Sequence, residues 1–280
     1  MATNWENFLK NQGEWRGSFT QVSLQGDLLE STPSILTLEP SENDTLVTFR
    51  LRRFGPEGYD TPPIQDYQQE YRSLGRQIIF FGTGAFSKGS LQLPPFSAFG
   101  AEYGFVAGDR RSRLVQLYTP QQDFESLTLI REFRSGTEAQ ERPPLTVGQL
   151  LGEWQGTAQT IHADWYAPEP VATHLEIRQV DERHLEQVLS FGHQRIASTA
   201  RIEGRTLIFE GQGQQGGARQ ITLLPDGASS NIPVKLKLRQ PFFVEAGWLV
   251  SDRDRQRLIR HYDEKGTWTG CTHVIEHKVS

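Results

Sequence analysis

Residues able to do chemistry occur in this chain as matched pairs. Glu102 and Glu245 open similar runs, Glu102-Tyr103-Gly104-Phe105 and Glu245-Ala246-Gly247-Trp248. Side chains alternate along a strand, so each glutamate points away from its aromatic partner. If the aromatic faces a core, the glutamate is a solvated or cross-strand-paired carboxylate. If the aromatic lies outside, the glutamate enters a polar lumen. Burial there would raise its pKa and suit it to anchor a cation or transfer a proton. Arg113 and Arg257 close the charged runs Asp109-Arg110-Arg111-Ser112-Arg113 and Asp252-Arg253-Asp254-Arg255-Gln256-Arg257. These runs read either as solvated turns with local Asp–Arg pairs or as a carboxylate clamp at a barrel mouth, because guanidinium binds carboxylate in bidentate fashion. Tyr118 and Tyr262 follow at the same distance in each run. The candidate ligand-binding set is therefore Glu102, Arg113, Tyr118, Glu245, Trp248, Arg257 and Tyr262. No residue is singled out as catalytic.

Metal chemistry has a weaker basis. All seven histidines lie in the second half, beside the only cysteine. Cys271 and His273 share a strand face about 6.6 Å apart, but His277 lies roughly 13 Å beyond His273, too far for one ion. His261 would have to come from another strand. No metal site and no cofactor are expected. Gly-x-Ser-x-Gly and Gly-x-x-x-x-Gly-Lys-Ser/Thr are absent. Gly82-Thr83-Gly84 and Gly211-Gln212-Gly213 lead into no helix and read as strand ends or bends.

The matched pairs belong to a duplication. Gly13-Glu14-Trp15-Arg16-Gly17 returns as Gly152-Glu153-Trp154-Gln155-Gly156. Gly75 to Gly84 matches Gly204 to Gly213, and Phe99 to Val106 matches Phe242 to Leu249. Arg113-Leu114-Val115, Tyr118 and Glu132 match Arg257-Leu258-Ile259, Tyr262 and Glu276. The order never changes. The polar, proline-ended stretch Ser135 to Pro144 has linker composition. Two domains of one fold are expected, residues 1–138 and 139–280.

Within each copy, short runs rich in branched and aromatic residues alternate with Gly, Asp, Asn and Pro turns. Helical signal is confined to Asn4–Leu9 and Thr146–Leu151. Eight to ten antiparallel strands per copy predict all-β barrels, each with room for a small ligand. Gly55 to Pro63 in the first copy is either a lid or a long hairpin connection. Gln212 to Gly217 reads as a mobile loop. The extra segment Gln214 to Arg239 enlarges the second barrel or closes its mouth.

A short helix, then Gly13-x-Trp15 or Gly152-x-Trp154 opening the first strand of an antiparallel meander, resembles the lipocalin (calycin) superfamily. The resemblance implies that Trp15 and Trp154 close barrel floors, each covered by a basic side chain: Arg131 or Arg134 in the first copy, Lys278 in the second. As a duplicated whole, the chain resembles an uncharacterised family of cyanobacteria and plastids. Its start, Phe8 to Ser18, is similar to the bilin lyases of phycobiliprotein assembly, although their closing segment is not evident. That likeness implies a photosynthetic host.

The formal charge of −5 gives no electrostatic reason to expect nucleic acid. No apolar run suits a membrane span, and the start lacks the pattern of a secretory signal. A cytoplasmic protein is expected. Three functions stand open: binding of a hydrophobic or amphipathic molecule, pigment- or lipid-like, in a barrel lumen; a bilin lyase or isomerase activity; and an assembly or scaffold role with filled barrels and a protein partner.

Overall fold

The computed structural model describes residues 2–211 and 217–279. The expectation of a mobile loop over Gln212 to Gly217 falls, but for Gly217, outside the described residues.

Two units start alike. Helix α1 (Asn4–Leu9) is capped by Thr3 and Glu6, and α2 (Val147–Leu150) by Thr146 and Gln149. In both, the side chains of the cap and third residues satisfy each other's backbone N–H groups, which lets so short a helix hold its first turn. Each helix feeds a glycine and then the tryptophan strand.

Nine antiparallel strands follow α1: β1 (Gly13–Val22), β2 (Leu28–Pro40), β3 (Val47–Arg53), β4 (Gln65–Tyr71), β5 (Ile78–Phe80), β6 (Phe86–Gly89), β7 (Phe99–Ala107), β8 (Arg110–Tyr118) and β9 (Phe124–Arg134). They curl so that β1 pairs with β9, but β4 and β5 remain as free edges. Ten strands follow α2: β10 (Gly152–His162), β11 (Val171–Gln179), β12 (His184–Phe191), β13 (Gln194–Glu203), β14 (Thr206–Phe209), β15 (Arg219–Leu223), β16 (Ala228–Pro233), β17 (Phe242–Leu249), β18 (Asp254–Tyr262) and β19 (Trp268–Lys278). These close into a barrel, β10 pairing with β19. The all-β architecture and strand numbers are as expected. Closure is reached only in the second unit. The cause is local: β13 turns directly onto β14 and β15 completes the wall, whereas β5 is three residues long and pairs only with β6. Segment 217–239 supplies β15 and β16, which hold the places of β5 and β6; the wall strand that the first sheet lacks is β14.

The glycines of the repeated motif have steric reasons. Gly13 and Gly152 take φ of +117° and +112°, values that L side chains avoid. A Cβ on Gly17 would stand 1.8 Å from the Arg131 carbonyl oxygen, and one on Gly156 would stand 2.4 Å from that of Ile275.

The units are joined through their walls. The faces of β7 and β8 turned away from the first concavity pack on those of β17 and β18, in one apolar cluster drawn from both units. Phe105 meets Trp248 with ring centres 6.1 Å apart, and Phe99 meets Tyr262 at 5.0 Å. Gln116 Nε2 donates to Ser230 Oγ at 2.8 Å, and Tyr118 Oη donates to the Pro233 carbonyl at 2.8 Å. The Gly55–Pro63 connection is no lid over the concavity. Tyr59 donates to the Gly17 carbonyl at 2.9 Å and lies beneath Arg16, on the face of β1 opposite Trp15.

Candidate functional site

Register places the matched charges together. Across β8 and β9, Arg111 stands opposite Glu132. Arg113, two residues on, shares their face and reaches back to the same carboxylate. Its Nε and Nη2 donate to Glu132 at 3.0 and 2.7 Å, and its Nη1 donates to Glu102 Oε1 at 2.9 Å. Arg111 Nη1 adds a bond to Glu132 at 2.8 Å, and Lys88 reaches Glu102 at 2.8 Å. The second barrel repeats the arrangement. Arg257 Nε and Nη2 donate to Glu276 at 3.3 and 2.8 Å, and its Nη1 donates to Glu245 at 3.2 Å. Arg255 Nε donates to Glu276 at 2.7 Å. Asn231 replaces the lysine, donating to Glu245 Oε2 at 3.0 Å.

These are ion pairs held out of water. Burial alone would raise the Glu102 pKa, but Lys88 and Arg113 outweigh it and hold the carboxyl at about 2. Glu276 is likewise held at about 2 by Arg255 and Arg257 against burial. The expectation of a raised carboxyl pKa is therefore reversed at Glu102, because the lumen is polar through cations. Burial favours a neutral Arg111 and lowers it to about 10, while Arg113 is raised by its two carboxylates despite burial. Arg113 and Arg257 are not open clamps for a ligand: the chain's own glutamates occupy them.

Below each cluster lies the tryptophan floor. Trp15 and Trp154 are fully buried and donate to the carbonyls of Asn11 and Leu150, both at 2.9 Å. Arg134 covers Trp15 at 4.4 Å and Lys278 covers Trp154 at 5.4 Å, with Arg111 at 6.0 Å and Arg255 at 4.8 Å. Arg131 instead pairs with Glu141.

The remaining candidates lie elsewhere. Tyr118 and Trp248 face the core between the units, not the concavities, while Tyr262 packs in that core and also borders the cavity beside Arg219. Cys271 and His273 share a face in that same core. Burial pushes the Cys271 thiol up to about 11 and the His273 imidazole down to about 4. His273 bonds Gln256 at 2.9 Å and packs on Phe81, while His261 points to the barrel interior and bonds Thr272 at 2.9 Å. Among the described residues no three His, Cys, Asp or Glu side chains converge as metal ligands.

Sequence reasoning passed over the partners that complete the clusters: Arg111, Glu132, Arg255 and Glu276. Their signal was present, since Glu132 and Glu276 match at the same offset as Arg113 and Arg257. It also passed over Arg219. This residue lies over the Phe243 ring at 3.5 Å, bonds Asn231 and the Phe243 carbonyl, and is lowered to about 10 by burial. With Lys235, Lys237, Phe242 and His261 it lines a cavity of about 270 Å³ at one mouth of the second barrel.

Comparison with known proteins divides the chain in two. A family model described as the N-terminal domain of DUF3598, a domain of unknown function, matches residues 1–137. One described as the C-terminal domain of biogenesis factor required for ATP synthase 1 matches residues 141–279. A solved DUF3598 protein of unknown function from Nostoc punctiforme is 45% identical over 100% of both chains, with a TM-score of 0.91. An S-type phycobiliprotein lyase from Guillardia theta is 13% identical, covering 48% of this chain and 90% of its own, with a TM-score of 0.37. Kievitone hydratase from Nectria haematococca is 9% identical over 97% and 90%, at 0.22. No curated protein matches.

Proposed function

The chain belongs to the DUF3598 family, and on that premise we propose that it is a non-catalytic assembly factor whose client is the ATP synthase. One observation carries this reading: the carboxylates at the heart of each unit are all paired with the chain's own cations, and the walls between the units form a single core. Such interiors suit a rigid platform better than a reaction chamber. A carboxyl held at about 2, like that of Glu102, has no proton to give near neutral pH. The ATP synthase enters through the description of the family model that matches residues 141–279. The test is direct binding. The purified chain is immobilised and exposed to purified, separated ATP synthase subunits from the same host. Saturable binding to one subunit supports the reading, and binding to none overturns it.

A second reading, ligand binding, has its own observation. The cavity beside Arg219 is close to the lower end of ligand-site volumes, about 300 Å³. Its lysines and arginine would suit an amphipathic anion, lipid- or pigment-like. Native mass spectrometry with an absorption spectrum, on protein from a photosynthetic host, tests it. A retained small molecule supports it, and a bare protein mass counts against it.

A further inference from the structure

The unclosed first sheet exposes a face that the second unit keeps inside a complete wall. Helix α1 fills one part of the gap between β4 and β5, Phe8 packing on Tyr71 and Phe80; the rest of this face carries Phe19, Phe49 and Leu51, partly buried, and Tyr67, exposed. Arg53 ends β3 on this face, opposite Ser34 of β2 and Gln65 of β4. Its guanidinium carbon lies 4.1 Å from the centre of the Phe19 ring, and that of Arg113 lies 5.3 Å from the same centre. The two arginines differ in their partners. Arg113 is matched by Glu102 and Glu132. Arg53 has no carboxylate among the described residues, and its Nε is buried without a hydrogen-bond partner. Burial and the like charge of Arg113 both act against its protonated form.

A buried donor left unpaired is costly, and here that donor belongs to a guanidinium that is itself only partly buried. The chain compensates every other guanidinium of this cluster. On this face, Lys88, Arg53, Arg111 and Arg113 meet only the carboxylates of Glu102 and Glu132. The excess is positive, and it adjoins an aromatic wall. The second unit lacks the feature. Its register lines up Phe191, Thr173 and Gly156 in one row across β12, β11 and β10, where the first unit lines up Arg53, Ser34 and Gly17 across β3, β2 and β1.

We propose that the concave face of the first sheet is a binding site for an amphipathic carboxylate, with the acid group on Arg53 and the apolar body along Phe19, Phe49, Leu51 and Tyr67. Guanidinium offers a carboxylate two parallel N–H donors, and the ring beneath Arg53 holds that fork in place. This site is separate from the cavity beside Arg219 and does not depend on the assembly reading.

The test is calorimetric titration of the full chain with dodecanoate below its micellar concentration, and with dodecanol as the neutral counterpart. The site predicts one saturable dodecanoate site per chain, with dodecanol weaker by about tenfold or more. Arg53→Gln weakens dodecanoate by a similar factor and leaves dodecanol unchanged. Arg53→Lys keeps part of the affinity, and Arg219→Gln keeps all of it. Because Arg53 has no carboxylate to lose and only its contact with the Phe19 ring, Arg53→Gln melts within a few degrees of wild type, which separates lost binding from lost folding. Dodecanoate binding Arg53→Gln as tightly as wild type overturns the proposal. So does loss confined to Arg219→Gln, or the absence of saturable binding.

Discussion

Glu276→Gln is the sharpest perturbation of the paired interior. Glu276 is 1% exposed and accepts from both Arg255 and Arg257. Glutamine keeps the volume but removes the charge. Arg257 then retains Glu245, while Arg255 keeps no carboxylate within salt-bridge distance. Removing one member of a buried ion pair costs about 3–5 kcal/mol, because it strands the other charge. The titration gives a consistent size. Lowering the carboxyl from its ordinary 4.5 to about 2 corresponds to about 3 kcal/mol of stability. The folded pKa lies below the unfolded one, so this stability is fully present above about pH 4.5 and is lost as pH falls towards 2. Guanidinium denaturation at pH 7 should show the loss in Glu276→Gln, with part of the acid sensitivity between pH 4.5 and 2 gone. The double variant Arg255→Met/Glu276→Gln should recover part of it, since the stranded charge is removed too. A change below about 0.5 kcal/mol, as at an ordinary surface position, would refute the reasoning.

Three further outcomes follow from the packing. Trp248→Ala removes a fully buried ring that meets Phe105 across the unit boundary; it should cost about 3–5 kcal/mol and turn a single calorimetric transition into two. Cys271, fully buried with its thiol pushed up to about 11, should ignore a water-soluble disulfide reagent at pH 8 in the folded chain and react with one equivalent in guanidinium. His273, held at about 4 by burial, should keep one neutral imidazole signal from pH 8 to pH 5 in NMR spectra. The unfolded group takes up its proton near 6.5, so His273 contributes stability above that value and loses it as pH falls towards 4.

The duplication, the strand content and the floor tryptophans could be read from residue types and spacing, because each leaves a local, repeated pattern. The direction of Glu102 and Glu245 could not. Alternation fixes which residues share a face, but it left open whether the aromatic at 105 and 248 or the glutamate at 102 and 245 faces the lumen; the structure puts the glutamates inside and the aromatics outside. Here both faces of β7 and β17 are buried, one on charges inside the unit and one on the other unit. The arginine runs misled for a related reason. Arg134 does meet Asp109 and Arg142 meets Asp252 as surface pairs, whereas Arg111, Arg113, Arg255 and Arg257 run inward. Their partners Glu132 and Glu276 lie about 20 residues along the chain, beyond any local pattern. The gap in the first sheet depends on whether two neighbouring strands pair, which the Gly75–Gly84 and Gly204–Gly213 match does not encode.

The assembly role is tested most directly by deleting the gene in its host and separating native complexes on a gel. The account predicts that assembled ATP synthase falls while its free subunits are still made, and that the wild-type chain restores assembly. An unchanged amount of assembled ATP synthase in the deletion strain would contradict it.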